Sequence, residues 1–305
     1  MHDPVDTGSG FDVSVVGLGA MGTIMAHVLL KQGKRVAVWN RSPDKAQALV
    51  AAGALLCDSA HAALAASPVT LLVLLDNAAV LEVLASAEVN PALANRTIVN
   101  YTTESQQESM ALQALVNRAG GHYVKGMIVA YPRNIGHAES YCIHTGEPEA
   151  FEQHRALLQV LAGHTLFLPW EETYAFAALL HAHSFAAMVA FYEAVGASQV
   201  FGMPAARMAR LILDTSRFFL ADALEDAVRR LEQQDFAGDQ ARLDVHASAF
   251  AEIGHAMQAA GAWTPVFDAV CQVAQRATSM GYGAQDIVTT TQAFAAAALP
   301  SEPER

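Results

Sequence analysis

Residues 170–196, WEETYAFAALLHAHSFAAMVAFYEAVG, decide the architecture of this chain. Their Ala, Leu and Met content favours helix, Pro169 precedes them, Glu171 and Glu172 lie where the helix dipole favours acid, and Gly196 suits the stop. The stretch predicts one helix about 40 Å long at about 1.5 Å per residue, longer than a small domain requires. Between Thr173 and Tyr192 there is no Asp, Glu, Lys or Arg, and apolar residues cover the whole circumference. Such a helix is expected to be buried on every side. About 20 apolar residues would also cross a bilayer. Here His181, His183, Ser184 and many Ala interrupt the run, no basic residues flank it, and it has no second of its kind. The expectation is therefore an interdomain helix wrapped by a second subunit, with no membrane. Tyr174, His181, His183, Ser184 and Tyr192 are its polar side chains, and an ordinary hydrogen bond would account for any one of the imidazoles.

Composition agrees with an oligomer. The 305 residues suffice for two domains, and with 53% hydrophobic and only 16% charged residues the chain has more surface to bury than a monomer of its size. Eighteen Lys plus Arg against 30 Asp plus Glu give a net charge of -12, which argues against nucleic acid or an anionic membrane as partner. Cys57, Cys142 and Cys271 are far apart and form no CxxC or zinc spacing, so no metal site is expected and a reducing cytoplasm fits. Residues 1–10, MHDPVDTGSG, are polar and lack the basic start and apolar core of a signal peptide, and read as a disordered lead-in. Residues 300–305 read as a tail of the same kind.

Upstream of the helix, the pattern alternates strand and helix. Phe11 to Val16 is a short strand-like run followed at once by Gly17-Leu18-Gly19-Ala20-Met21-Gly22 and a helical pattern through Lys31. In that context GxGxxG is a dinucleotide fingerprint: the first Gly makes the tight turn, the second admits a pyrophosphate to the backbone, and the third lets helix pack on strand. A second strand, Arg35 to Trp39, ends in Asn40-Arg41-Ser42, with Lys45 in the first turn beyond. Asp or Glu there would hold a free ribose 2′-hydroxyl, whereas Arg with small polar residues meets a 2′-phosphate, so the cofactor read from this site is NADPH. Further strands are expected at Ala54–Leu56, Val69–Leu75 and Thr97–Asn100, with helices at Ser59–Ala66, Ala78–Ala87 and Glu104–Ala119. Strand ends face the ligand in a doubly wound sheet. Leu74, Leu75, Asp76 and Asn77 are then expected near the nicotinamide riboside, and Asn100, Tyr101, Thr102 and Thr103 near the reacting centre.

GLGAMG at Gly17–Gly22, WNRS at Trp39–Ser42, VNYTT at Val99–Thr103 and above all GMIVAYPRNIG at Gly126–Gly136 resemble the imine reductase and reductive aminase family, itself related to the β-hydroxyacid dehydrogenases. The long helix and ATSMGYGAQDIVTTTQAF near the end have counterparts there too. The resemblance implies an NADPH-binding Rossmann domain over 11–169, the interdomain helix over 170–196, and an all-α domain over 197–299. It also implies that this last domain interlocks with a partner's in a homodimer, each active site forming between one subunit's Rossmann domain and the other's helical domain. The sequence after Gly196 agrees, with helices read at Ala205–Glu232, Ala241–Gly261, Pro265–Met280 and Ala284–Ala297.

This chain departs from the family at three polar positions. The Asp or Tyr that many members carry early in the long helix falls on Ala175, a Tyr that reductive aminases add two turns later falls on His183, and an Asn after the VNxT stretch falls on Thr103. Related hydroxyacid dehydrogenases use a Lys on this helix, but here the lysines are Lys31, Lys34, Lys45 and Lys125. Imine reduction asks less of the protein: the C=N bond must be held close to nicotinamide C4 while a proton reaches nitrogen. An imidazole titrates at about 6.5, which makes His183 a candidate proton donor or polar anchor. Tyr174 is the competing donor, and Tyr174 or Thr103 is expected to orient the substrate. Positions 175 and 183 lie about 80° apart around a helix and can border one cleft, whereas His181 faces away from His183 by about 160°. The expected activity is NADPH-dependent reduction of a cyclic or aromatic imine, an intermediate of a nitrogen-containing natural product. A β-hydroxyacid dehydrogenase-like oxidoreductase and a non-catalytic NADPH-binding sensor are the alternatives.

Overall fold

The computed structural model describes residues 10–85 and 91–295. The lead-in, apart from Gly10, and the tail at 300–305 lie outside the described residues. The chain divides into two compact units, Met1–Leu179 and Leu180–Arg305.

The first unit is built on an eight-stranded sheet of order β3-β2-β1-β4-β5-β6-β7-β8. Its strands are β1 Val13–Val16, β2 Val36–Trp39, β3 Leu55–Leu56, β4 Val69–Leu72, β5 Thr97–Asn100, β6 His122–Val129, β7 Tyr141–Gly146 and β8 His164–Phe167. All neighbours pair in parallel except β6 with β7. Every residue of β1, β4 and β5 is buried, as expected of β-branched runs with helices on both faces. Successive side chains along a strand take opposite faces of the sheet. Val13 and Val15 pack with Met25 and Leu29 of α1 (Ala20–Lys31), Leu49 of α2 (Gln47–Ala51) and Phe151 and Leu158 of α6 (Pro148–Leu158). Val16 and Ile98 pack with Leu64 of α3 (Ala60–Ala66), Val80 and Leu84 of α4 (Asn77–Ala85) and Leu112 and Val116 of α5 (Gln106–Arg118). Each such fully buried Leu, Val or Phe contributes about 1.5–3 kcal/mol over exposure.

The strand order reverses between β1 and β4, the switch point at which doubly wound sheets bind ligands. Register there is tight: Trp39, Val16, Leu72, Asn100 and Lys125 stand in one row across five strands. The loops after β1, β2, β4 and β5 therefore leave the sheet at one level, while β6 runs on to Val129.

The helix α7, Trp170–Ala197, begins in the first unit and continues into the second. It has the expected length, and it is the one helix among the described residues long and apolar enough to cross a membrane. Burial on every side is not met within the chain: Thr173 is the buried residue of α7, while Leu179 is 72% exposed, Phe185 57% and Tyr192 56%. An all-round apolar helix needs cover on all sides, and this chain by itself does not supply it.

The second unit is helical. Ala205–Glu232 is not one regular helix but α8 (Ala205–Thr215) and α9 (Ala221–Gln233) joined by a π-helical turn at Ser216–Leu220. The helix α10 spans Leu243–Ala259, and α11 spans Pro265–Ala277 and gives way to a wider turn in which Gly281 takes a φ of 94°. The Glu193 carboxylate of α7 accepts the N–H groups of Val266 (2.7 Å) and Phe267 (3.0 Å), capping α11 in place of a local side chain. The last helix, α12, starts at Thr290 instead of Ala284 because Ala284–Asp286 are held elsewhere. Gln285 and Asp286 bridge to Ala237 and Arg242, and the Asp286 side chain accepts from Val288 N at 2.9 Å.

Candidate active site

The Gly-rich turn leaves the end of β1 in the geometry the fingerprint requires. Gly17 adopts φ +100°, and a Cβ on it would lie 2.3 Å from the Val73 carbonyl oxygen; one on Gly22 would lie 1.9 Å from the Gly17 carbonyl oxygen. A Cβ on Gly19 would meet nothing within 4 Å, so this exposed backbone is open to a ligand at the start of α1. Ala20 is exposed, Met21 half-buried and Leu18 buried, its N–H donated to Asn40 Oδ1 at 2.9 Å. Asn40 also donates to the Ser42 carbonyl at 3.0 Å, tying the turn to the loop after β2.

Beyond Asn40, the side chains of Arg41, Ser42 and Lys45 are exposed. Neither Arg41 nor Lys45 forms an ion pair among the described residues, which leaves two cations beside the fingerprint turn. A groove of about 610 Å³ runs along this side, lined by Gly19, Thr23, His27, Lys45 and Arg133 among others. The open Gly19 backbone and the unpaired cations fit a dinucleotide carrying an extra phosphate.

At the neighbouring strand ends the predicted residues separate into rim and interior. Leu75, 89% exposed, and Thr103 lie at the rim, and Leu74 is half-buried. Asn100 and Thr102 are buried and turned into the protein. The Leu74 N–H donates to Thr102 Oγ1 at 3.0 Å, joining the loops after β4 and β5, and Thr102 N donates to Asn100 Oδ1 at 3.0 Å. Asn77 donates to Glu108 at 3.1 Å, while its Oδ1 is buried without a partner.

Sequence reasoning missed the polar cluster beneath these loops. Glu104, with a side chain fully out of solvent, accepts from Tyr123 Oη (2.8 Å), Asn100 Nδ2 (2.9 Å) and Ser109 Oγ. Lys125, 2% exposed, donates to the carbonyls of Asn100 (3.2 Å) and Thr102 (2.5 Å), with its Nζ 3.9 Å from Glu104. Desolvation, opposed by the Glu104 charge, lowers the Lys125 pKa to about 8. The signal was available: Tyr123 and Lys125 share one face of a largely apolar strand, and a Lys inside such a run needs a buried partner. A capping box, Ser105 with Glu108, starts α5 and sets Ser109 over Glu104.

Tyr174, near the start of α7, reaches this cluster, its hydroxyl 2.7 Å from Ser109 Oγ and 3.3 Å from the Ser105 carbonyl. Thus Tyr174, Asn100, Thr102 and Thr103 gather at one end of the sheet in the first unit. Ala175 is exposed one residue further on. His183 belongs to the second unit and is exposed on α7.

Residues 12–169 match the NAD binding domain of 6-phosphogluconate dehydrogenase, and residues 174–296 match the NADPH-dependent reductive aminase-like C-terminal domain. Across both, a solved imine reductase from Pseudomonas sp. is 32% identical, covering 93% of this chain and 99% of that one, with a TM-score of 0.82. The chain belongs to the imine reductase and reductive aminase family. Within this family of oxidoreductases, the chain is also similar to a putative oxidoreductase from Pseudomonas putida KT2440, at 71% identity over 95% of this chain and 99% of that one, TM-score 0.92. An NADPH-dependent reductive aminase of Aspergillus oryzae (strain ATCC 42149 / RIB 40) is 33% identical over 150 residues, 48% of this chain and 50% of that protein. The chain thus spans about half the length of the curated relatives it matches. Its first unit carries the NAD(P)-binding domain that the fingerprint turn predicts.

Proposed function

We propose that this protein is an NADPH-dependent imine reductase, a cytoplasmic homodimer that reduces the C=N bond of a cyclic or aromatic imine or iminium in the making of a nitrogen-containing natural product. Family membership across both units carries the reading. NADPH, when bound, supplies the hydride. Gly17, Leu18, Gly19, Ala20, Met21 and Gly22 hold the pyrophosphate, and Asn40, Arg41, Ser42 and Lys45 the 2′-phosphate end. Leu74, Leu75, Asn100 and Thr102 shape the nicotinamide end. His183 is the proton donor or polar anchor, Tyr174 or Thr103 orients the substrate, and Ala175 leaves room for a bulky one.

The exposed apolar length of α7 supports the dimer, since a second copy would cover what this chain leaves open. Hydroxyacid oxidation is disfavoured because no Lys lies on α7 and the Lys125 ammonium is directed at two carbonyls and Glu104. The test is NADPH consumption by the full chain against a panel of preformed cyclic imines, with NADH, and a β-hydroxy acid with NADP⁺, as controls. Imine turnover with NADPH and little with NADH is the expected result. Hydroxy-acid oxidation without imine turnover would replace this reading, and tight NADPH binding with no turnover of either would favour a sensor.

A further inference from the structure

Tyr174 stands at the outer end of a hydrogen-bond chain that stops on a carboxylate with no access to water. Among the described residues, the hydrogen-bond partners of Glu104 are all donors, Tyr123 Oη, Asn100 Nδ2 and Ser109 Oγ, and the Lys125 ammonium lies 3.9 Å away. Glu104 therefore acts as acceptor toward all three donors. Ser109 has one hydroxyl proton, and it goes to Glu104. The 2.7 Å contact between Ser109 Oγ and the Tyr174 hydroxyl must then be donated by Tyr174. The phenol's other neighbour, the Ser105 carbonyl at 3.3 Å, is also an acceptor. With the phenol proton directed at Ser109, the phenol oxygen has only lone pairs to offer anything outside. Burial pushes the phenol up to about 12. A general acid works best near the operating pH, so this tyrosine is poorly suited to giving up a proton.

We infer that Tyr174 accepts a hydrogen bond from the N–H of a positively charged iminium, with Ser109 and buried Glu104 as positioning residues that keep the phenol proton turned inward. The inference rests on the reductase reading and adds the charge state of its substrate: the proton arrives on nitrogen, which leaves His183 the role of polar anchor. Hydride addition at carbon, with NADPH as the reductant that is oxidised, returns the C=N π pair to nitrogen as the lone pair of a neutral amine. No proton from Tyr174 is required.

The test compares 3,4-dihydroisoquinolinium, which has an N–H, with its N-methyl iminium, which carries the same charge without one. Tyr174→Phe and Ser109→Ala should lower kcat/KM on the N–H substrate by about 10- to 100-fold, the worth of a hydrogen bond to a charged group, and on the N-methyl substrate by much less. Ser109→Thr should restore most of the loss. Above the substrate's own pKa, wild-type kcat/KM should fall with the protonated fraction, and Tyr174→Phe should keep that profile. Calorimetric binding of the product ammonium, 1,2,3,4-tetrahydroisoquinoline, should weaken in the same two variants by a similar factor. Equal losses on both substrates, full activity in Tyr174→Phe, or a pH profile that changes shape in that variant would each overturn the inference. No wild-type turnover of either substrate would overturn the reductase reading, and the ammonium titration would still decide whether Tyr174 is an acceptor.

Discussion

The strand β5, TIVN, and the more apolar helix α7 are treated by the chain in opposite ways. All four residues of β5 are buried, whereas α7 buries Thr173 and leaves side chains such as Leu179 and Phe185 open. The strand lies between two partners that the same chain supplies, β4 and β6, with helices on both faces. The helix has no comparable cover. Apolar composition thus states a demand for burial and says nothing about which molecule meets it.

That contrast can be broken or sharpened by substitution, beginning with the sheet end, where nothing can yield. Gly17→Ala puts a Cβ 2.3 Å from a backbone carbonyl at a positive φ, and should weaken NADPH binding by at least about 100-fold in a fluorescence titration, with loss of fold stability. On α7, Val189 is 50% exposed, so Val189→Glu should cost the single chain little. If a second copy covers the helix, light scattering should show the mass fall from twice 32.4 kDa to 32.4 kDa, a loss of roughly 3 kcal/mol in association. An unchanged dimer would mean that α7 is not its interface.

His183→Ala should lower imine turnover by about 10- to 100-fold if the imidazole donates the proton, a general acid being worth roughly that or more. A rate within a few-fold of wild type across pH would end that assignment. The sheet unit should also carry an acid sensitivity of its own. Desolvation lowers buried His154 to about 4 and buried His144 to about 3, whereas an unfolded imidazole titrates at about 6.5. Between those values the unfolded chain binds protons that the folded chain does not, so stability falls as pH falls through the window, by about 1.4 kcal/mol per pH unit for each histidine. Urea unfolding of His154→Gln between pH 6 and 4.5 should show that slope reduced by one histidine's share. Arg41→Ala should give the smallest effect, raising the KM for NADPH by about 10-fold while leaving NADH unchanged, as expected for one exposed cation facing a phosphate.

Local signals were legible wherever the determinant was itself local. The strand-turn-helix around Gly17–Gly22 required only periodicity and three glycines, and β1, β2, β4 and β5 fall within the expected runs. The π-helical turn at Ser216–Leu220 and the late start of α12 were not legible. The second depends on Asp286 N donating to the Phe236 carbonyl at 3.0 Å, a partner far away in sequence. The same holds for the polar cluster: Glu104, Ser109, Tyr123, Lys125 and Tyr174 span a wide stretch of sequence, and no spacing rule joins them.

The sequence by itself determined the doubly wound sheet, the nucleotide turn, the cations after β2 and the length of α7, because steric and periodic constraints act over a few residues. Only the tertiary structure decided that Asn100 and Thr102 turn inward, that Lys125 is held among carbonyls beside Glu104, and that the Tyr174 hydroxyl meets Ser109. Those facts are directions of hydrogen bonds between distant segments, and a buried donor is assigned only when the chain has brought every acceptor into place.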